Sequence, residues 1–326
     1  MNKIAIFGGL GYIGSHIIEL TLKKTKIPEI IILDNLSFGK EHMMDLINNP
    51  RVTLIEGDIT NAMDIAKSVK DCDCVVMMAG LVGDPACSIN EEDTWLVNTE
   101  SSRIIADVCN HYKVENFVFS SSCSVYGASP SHIILNEGSF LNPVSWYAKS
   151  KIDSEKIFFE NIEGNATNLR LATVFGFSRR MRFDLVANLF TIKALKDGKL
   201  DVFGGEQYRP FIHCFDAARA FLDASQSYGN VNRENFNIIS ENISIRGLGE
   251  LIGGKVKGAK VNLVQQKEDN RNYKVSGDKA SWNMNFQPHF NISAGVEHMI
   301  VKLKENNFND WQDNPIYYNH LCGKGK

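Results

Sequence analysis

Residues 3–24 leave little freedom in how this chain folds. An apolar run, Lys3-Ile4-Ala5-Ile6-Phe7, meets Gly8-Gly9-Leu10-Gly11-Tyr12-Ile13-Gly14 with nothing between, and apolar residues then recur at helical spacing through Ser15–Lys24. Strand, glycine turn and helix in immediate succession form the start of a βαβ unit. Glycines there let backbone approach a pyrophosphate, and the helix N-terminus offers unpaired N–H groups and a positive dipole. Asp34 follows Gly14 by 20 residues, at the end of the next apolar run. A carboxylate there accepts hydrogen bonds from an adenosine ribose and repels a 2′-phosphate, which favours NAD over NADP.

The pattern continues. Ile30–Leu33, Val52–Ile55, Cys74–Met78, Phe117–Ser120 and Asn168–Leu171 are short runs with both faces apolar, separated by helix-length segments. Such runs belong to a parallel sheet covered on both sides, so the expected architecture is a doubly wound α/β (Rossmann) fold. After Gly176 the alternation fades. Arg180–Asp184 reads as the opening of a helix, Leu200–Phe203 and Phe211–His213 as short strands, and Asn235–Ile239 as a strand returning to the main sheet. The expected division is residues 1–176 for the NAD-binding domain and 177–326 for a smaller, interwoven substrate lobe.

Composition narrows the function. A net charge of -3 and a pI near 6.3 give no global attraction for nucleic acid or anionic membrane. No leader peptide or spanning segment is expected, and the seven scattered cysteines suggest reduced thiols in a cytoplasm. No histidine follows Cys72-x-Cys74 at ligand spacing, so no metal site is expected. The Gly-Lys-Gly-Lys end reads as a frayed tail.

Four further features carry chemistry. Asp58, after the third strand, is placed to receive an adenine amine or else to cap the next helix. Ala79-Gly80 ends the fourth strand, where backbone can pass close to a cofactor. Ser120-Ser121-Ser122 closes the fifth strand at the carboxyl edge, where ligands of such sheets bind. On the helix after it, Tyr147 and Lys151 lie four residues apart, on one face and about 6 Å along the axis. An ammonium near a phenol favours the phenolate, so Lys151 is expected to lower the Tyr147 pKa from about 10. Each motif alone is common; their joint spacing is specific.

With that spacing the chain resembles the extended short-chain dehydrogenase/reductases, and among them the NAD-dependent sugar-nucleotide epimerase/dehydratase group, notably the UDP-galactose 4-epimerases. The likeness runs from residue 3 to about residue 280. It implies Ser122, Tyr147 and Lys151 as catalytic residues. It also implies cofactor contacts from Gly8, Gly11, Tyr12, Ile13, Gly14, Asp34, Asn35, Asp58, Ile59, Ala79, Gly80 and Asn98, together with Tyr147 and Lys151. Substrate contacts fall to Ser122, Thr173, Arg209 in Arg-Pro-Phe-Ile-His, and Arg271, the two arginines gripping a diphosphate with their guanidinium forks.

The resemblance implies that Tyr147 removes a proton from a sugar hydroxyl, usually at C4, while NAD takes the hydride. Dehydratases of the group carry an acid just after the catalytic hydroxyl. Here Cys123 and Ser124 follow, so dehydration is not expected. A 4-epimerase is the first expectation. The alternative is a 4-dehydrogenase releasing the ketone, as the GDP-heptose 4-dehydrogenases of capsule polysaccharide synthesis do. Val82 replaces a lysine of the galactose epimerases, and Thr173 an asparagine, which leaves sugar and base open. A non-catalytic dinucleotide sensor usually lacks the tyrosine or lysine, and a steroid or flavonoid reductase has no use for two diphosphate arginines. The family often dimerises through the helix bearing Tyr-x-x-x-Lys, so a homodimer is expected; Ile152, Ile157 and Phe158 on that helix are apolar and serve either a partner or the core of the monomer.

Overall fold

The computed structural model describes residues 1–227, 229, 231–265 and 271–321. Asn270, Cys322 and the Gly323–Lys326 tail lie outside the described residues. The glycine turn leads from β1 (Lys3–Phe7) into α1 (Gly14–Lys24). There follow β2 (Glu29–Asp34), a single turn α2 (Met44–Ile47), β3 (Val52–Glu56), α3 (Ala62–Val69) and β4 (Cys74–Met77). Two short helices, α4 (Asp84–Cys87) and α5 (Glu91–Thr94), precede a π-helical turn at Trp95–Glu100 and α6 (Ser101–His111). Next come β5 (Asn116–Ser122), β6 (Ile134–Leu135), α7 (Trp146–Asn161), β7 (Asn165–Leu171), β8 (Thr173–Phe175), α8 (Val186–Lys196), β9 (Lys199–Phe203), β10 (Tyr208–His213), α9 (Cys214–Gln226) and β11 (Glu234–Ile238).

Seven of these strands form one sheet in the order β11-β7-β5-β4-β1-β2-β3, every neighbouring pair parallel. This is the doubly wound Rossmann architecture. The two-residue period of a strand explains why β1 is apolar from Ile4 to Phe7. Ile4 and Ile6 face Ile17 and Ile18 of α1 and Phe221 of α9, whereas Ala5 and Phe7 face Ile65 of α3, Ile105 of α6 and Phe158 of α7. Each fully buried Ile or Phe of this kind contributes about 1.5–3 kcal/mol. Because all seven strands point the same way, their carboxyl ends share one rim, and loops at that rim form the cleft.

One expectation is corrected. Arg180–Asp184 does not open a helix: α8 begins at Val186. Tertiary partners take the backbone groups a helix would need. The Phe183 N–H donates to the Tyr317 carbonyl at 3.0 Å, and Asn188 Nδ2 donates to the Arg182 carbonyl at 2.9 Å. Met181 and Phe183 are drawn into a separate apolar cluster with Trp311. Of the two roles open to Ile152, Ile157 and Phe158, burial in the core of this chain is the one observed: they are 9%, 5% and 0% exposed. Among the described residues no helix is long and apolar enough to cross a membrane.

Candidate active site

A cleft of about 400 Å³ runs along the carboxyl rim from the glycine turn to Arg209, Arg271 and Tyr273. Its first wall is the turn itself. Gly8 has φ +76°, and a Cβ there would lie 2.9 Å from the Ala79 backbone, so the β1 and β4 ends close together only with glycine at this position. A Cβ at Gly14 would collide with the Gly9 carbonyl. Gly11, Tyr12 and Ile13 line the cleft beside the start of α1. The Tyr12 phenol turns away from it, donating to the Gly176 carbonyl at 2.5 Å and accepting from Asn188 Nδ2 at 2.9 Å.

Asp34, at the end of β2, accepts one backbone N–H on each oxygen, from Leu10 and Leu36, both at 3.0 Å. Burial raises its pKa and these two donors oppose the shift. The carboxylate is thereby fixed at the rim with lone pairs left for a ligand hydroxyl. Asn35 Nδ2 donates to Asp58 at 3.1 Å, and Asp58 also accepts from the Thr60 N–H and hydroxyl at 2.9 and 2.7 Å. The cap of α3 is Asn61, not Asp58. Asn35, Asp58, Ile59, Ala79 and Gly80 all line the cleft.

Asn98 does not line it. Buried in the π-helical turn, its amide exchanges two hydrogen bonds with Leu81, at 2.9 and 3.0 Å, and donates to Ser150 of α7 at 3.2 Å. Asn98 thus ties the loop after β4 to the helix bearing Tyr147 and Lys151, consistent with the concentration of π-bulges at functional sites.

Ser122, Tyr147 and Lys151 meet at the end of β5. The Ser145 hydroxyl caps α7, accepting from the Ala148 N–H at 3.2 Å, which starts the helix so that Tyr147 falls in its first turn. Lys151 Nζ donates to the Ser120 carbonyl at 2.8 Å and lies over the Phe119 and Tyr147 rings, 4.7 and 5.7 Å from their centroids. Burial pushes the Lys151 ammonium down to about 8. Burial, then the Cys87 thiol, raises Tyr147. The groups pulling it down are the hydrogen-bonded Ser122 hydroxyl and the Arg182 guanidinium. Lys151, one helical turn further on, brings its ammonium over the Tyr147 ring.

Behind the serines lies a buried polar network. Ser121, the strand neighbour of Arg170, donates to Glu155 Oε1 at 2.5 Å. Arg170 grips both oxygens of Glu155 at 2.9 and 2.7 Å and donates to the Tyr126 hydroxyl at 3.0 Å. One carboxylate on α7 therefore holds β5 and β7 at the level of Ser122.

At the far end, Thr173, Arg209 and Arg271 line the cleft with Tyr273. Arg271 Nη1 donates to Asp84 Oδ2 at 2.6 Å. Sequence reasoning did not single out Asp84, Arg180, Arg182, Ser124 or Asn319, which also line the cleft. The Arg180 guanidinium stacks on Phe38 at 3.5 Å, and Arg182 is held by both oxygens of Asp184 at 3.1 and 2.7 Å. The Arg179-Arg180-Met181-Arg182 cluster just past the β8 rim was the available signal. Asn319 comes from the C-terminal segment, donating to the Val82 carbonyl at 3.1 Å, and had no signal.

A parallel sheet of this order, with a glycine turn and a Ser-Tyr-Lys set on one rim, defines a dinucleotide-dependent enzyme of the Rossmann class. The model of the NAD dependent epimerase/dehydratase family matches residues 4–238, and the chain belongs to that family. It is 27% identical over 258 residues to the UDP-glucose 4-epimerase of Lactobacillus helveticus, covering 72% of this chain and 76% of that one. The UDP-glucuronic acid 4-epimerase of Bacillus cereus, solved with UDP-glucuronic acid and NAD, superposes with a TM-score of 0.83 at 25% identity, over 93% of this chain and 99% of that one. A dTDP-glucose 4,6-dehydratase of Streptomyces venezuelae reaches 0.84 at 21% identity over 96% and 99%, a likeness of fold. The cofactor is NAD. The fixed carboxylate of Asp34 and the glycine-lined start of α1 fit it.

Proposed function

We propose that this protein is a NAD-dependent sugar-nucleotide 4-epimerase. The meeting of Ser122, Tyr147 and Lys151 at one end of a cleft whose other end holds Arg209 and Arg271 carries this reading. In it, Gly8, Gly11, Tyr12, Ile13, Gly14, Asp34, Asn35, Asp58, Ile59, Ala79 and Gly80 hold NAD, and Asn98 positions the cleft wall. Bound NAD supplies hydride acceptance and return, and a positive ring that favours the phenolate. Tyr147 takes the proton of the C4 hydroxyl and gives it back after the sugar has presented its other face. Ser122 donates to the reacting oxygen, Lys151 holds the cofactor ribose, Thr173 contacts the sugar, and Arg209 and Arg271 grip the diphosphate. The named activities of the two epimerase relatives support the same substrate class.

Oxidation at C4 without loss of water is the finer part of the reading, and its support is the absence of an acid after Ser122: Cys123 is buried, its thiol directed at the Arg170 carbonyl, and Ser124 lines the cleft. Return of the hydride rests on the epimerase relatives alone. Among the described residues, six unpaired, buried cysteines support a reducing, cytoplasmic setting. A homodimer is part of the reading and is tested by sedimentation. Incubation with UDP-, GDP-, dTDP- and CDP-sugars, followed by proton NMR, tests the reaction. A C4 epimer is expected. A free 4-ketone with stoichiometric NADH marks a 4-dehydrogenase, and a 4-keto-6-deoxy product overturns both.

A further inference from the structure

The ion pair between Asp84 and Arg271 joins residues 187 positions apart, one opening α4 at the end of β4, the other in the C-terminal part of the chain. Both line the cleft. The carboxylate has two oxygens and a partner on each: Oδ2 accepts from Arg271 Nη1 at 2.6 Å, and Oδ1 accepts from the Ser145 hydroxyl at 2.6 Å. Ser145 is the cap of α7, two residues before Tyr147. Gly83, just before Asp84, has φ +97°, a conformation that glycine adopts freely and that aims the start of α4 into the cleft.

We propose that Asp84 is a specificity-determining residue that competes with the diphosphate for Arg271, so that substrate binding exchanges a carboxylate for a phosphate instead of filling an open site. The inference rests on the reading of Arg271 as a diphosphate contact. A carboxylate and a phosphate oxygen recognise the same guanidinium N–H groups, and a carboxylate left beside a bound diphosphate repels it. The pair suits exchange. Its side chains are 41% and 21% exposed, so water screens the attraction and the bond is weak enough to yield to a multiply charged ligand. After the exchange, Asp84 keeps its hydrogen bond from Ser145, which holds the carboxylate at the cap of the helix carrying Tyr147. Ligands that bring less negative charge to Arg271 fail to displace Asp84, and the cleft thereby discriminates in favour of diphosphates.

The test is calorimetric titration of UDP, GDP, dTDP and CDP into the wild-type protein, Asp84→Asn, Arg271→Met and the double variant, with NAD titrated as a control for the fold. Asparagine keeps the shape and removes the charge. The nucleotide that the wild-type protein binds is expected to bind Asp84→Asn about fivefold tighter. Arg271→Met is expected to weaken it, and Asp84→Asn to bring no gain once Arg271 is gone. Unchanged or weaker binding in Asp84→Asn overturns the inference and makes Asp84 an orienter of Arg271. A gain that persists in the double variant also overturns it, since the effect is then general charge and not competition. Absence of binding of every nucleoside diphosphate by the wild-type protein overturns the proposed function instead.

Discussion

Lys151 Nζ lies 5.7 Å from the centroid of the Tyr147 ring, over the face of the phenol, while its hydrogen bond goes to the Ser120 carbonyl. The lysine is therefore anchored to β5, and it ties α7 to that strand as much as it bears on its helical neighbour. The Ser122 hydroxyl and the Arg182 guanidinium both favour the Tyr147 phenolate, against the burial that opposes it. The phenolate is thus favoured chiefly when the full site is assembled, with cofactor charge added to these groups.

Replacing Tyr147 by phenylalanine removes only the hydroxyl. On the proposed mechanism kcat falls by about 10²–10⁴, the usual contribution of a positioned acid–base group, and NAD affinity is retained. Steady-state kinetics with the substrate found in the panel checks this; unchanged turnover would falsify the assignment.

Burial pushes Lys151 down to about 8, so its charge is present below that pH and lost above it. Activity is expected to decline above about pH 8. In Lys151→Arg the guanidinium keeps its charge, and whatever activity survives should extend to higher pH. A pH–rate profile of both proteins decides; superimposable alkaline limbs would remove Lys151 as the source.

His213 is fully buried at the start of α9, its Nδ1 accepting from the Phe215 N–H at 3.2 Å and its ring stacked on Phe290. Burial, reinforced by His16 and His298, pushes it down to about 3. The unfolded chain protonates this residue near 6.5. Below that pH the unfolded state binds the extra proton, so the stability held above about pH 6.5 is lost as pH falls towards 3. The loss by pH 5 is about 2 kcal/mol. Urea unfolding at pH 7 and pH 5 measures it, and His213→Asn should flatten the difference.

Glu155 and Arg170 are each less than a tenth exposed. Glu155→Gln leaves a buried guanidinium without its counter-charge, at a cost of about 3–5 kcal/mol. Ser121→Ala removes one neutral donor and should cost about 1 kcal/mol. Denaturant midpoints of the two variants should therefore separate clearly. Equal midpoints would mean that the network contributes little beyond packing.

Much of this was legible in the sequence because it is local. β1, its glycines and α1 are contiguous, and Asp34 follows at the end of the next strand. Tyr147 and Lys151 share a helix face through a spacing of four. Arg180–Asp184 misled because its arginines and apolar residues resemble a helical period, whereas Tyr317 and Asn188 claim its backbone. The place of Asn98 was not legible: its amide serves Leu81 and Ser150, which no short motif connects.

By itself, the sequence determined the parallel sheet, the glycine turn, the carboxylate at the end of β2 and the tyrosine–lysine pair. In each, the residues that interact are close along the chain or repeat with the period of their element. Only the tertiary structure decided that Arg182 stands near enough to favour the Tyr147 phenolate, that Glu155 holds β5 to β7, and that Asp84 meets Arg271. Those contacts join residues tens to nearly two hundred positions apart, and they exist because the packing of strands and helices brings separate segments to one rim.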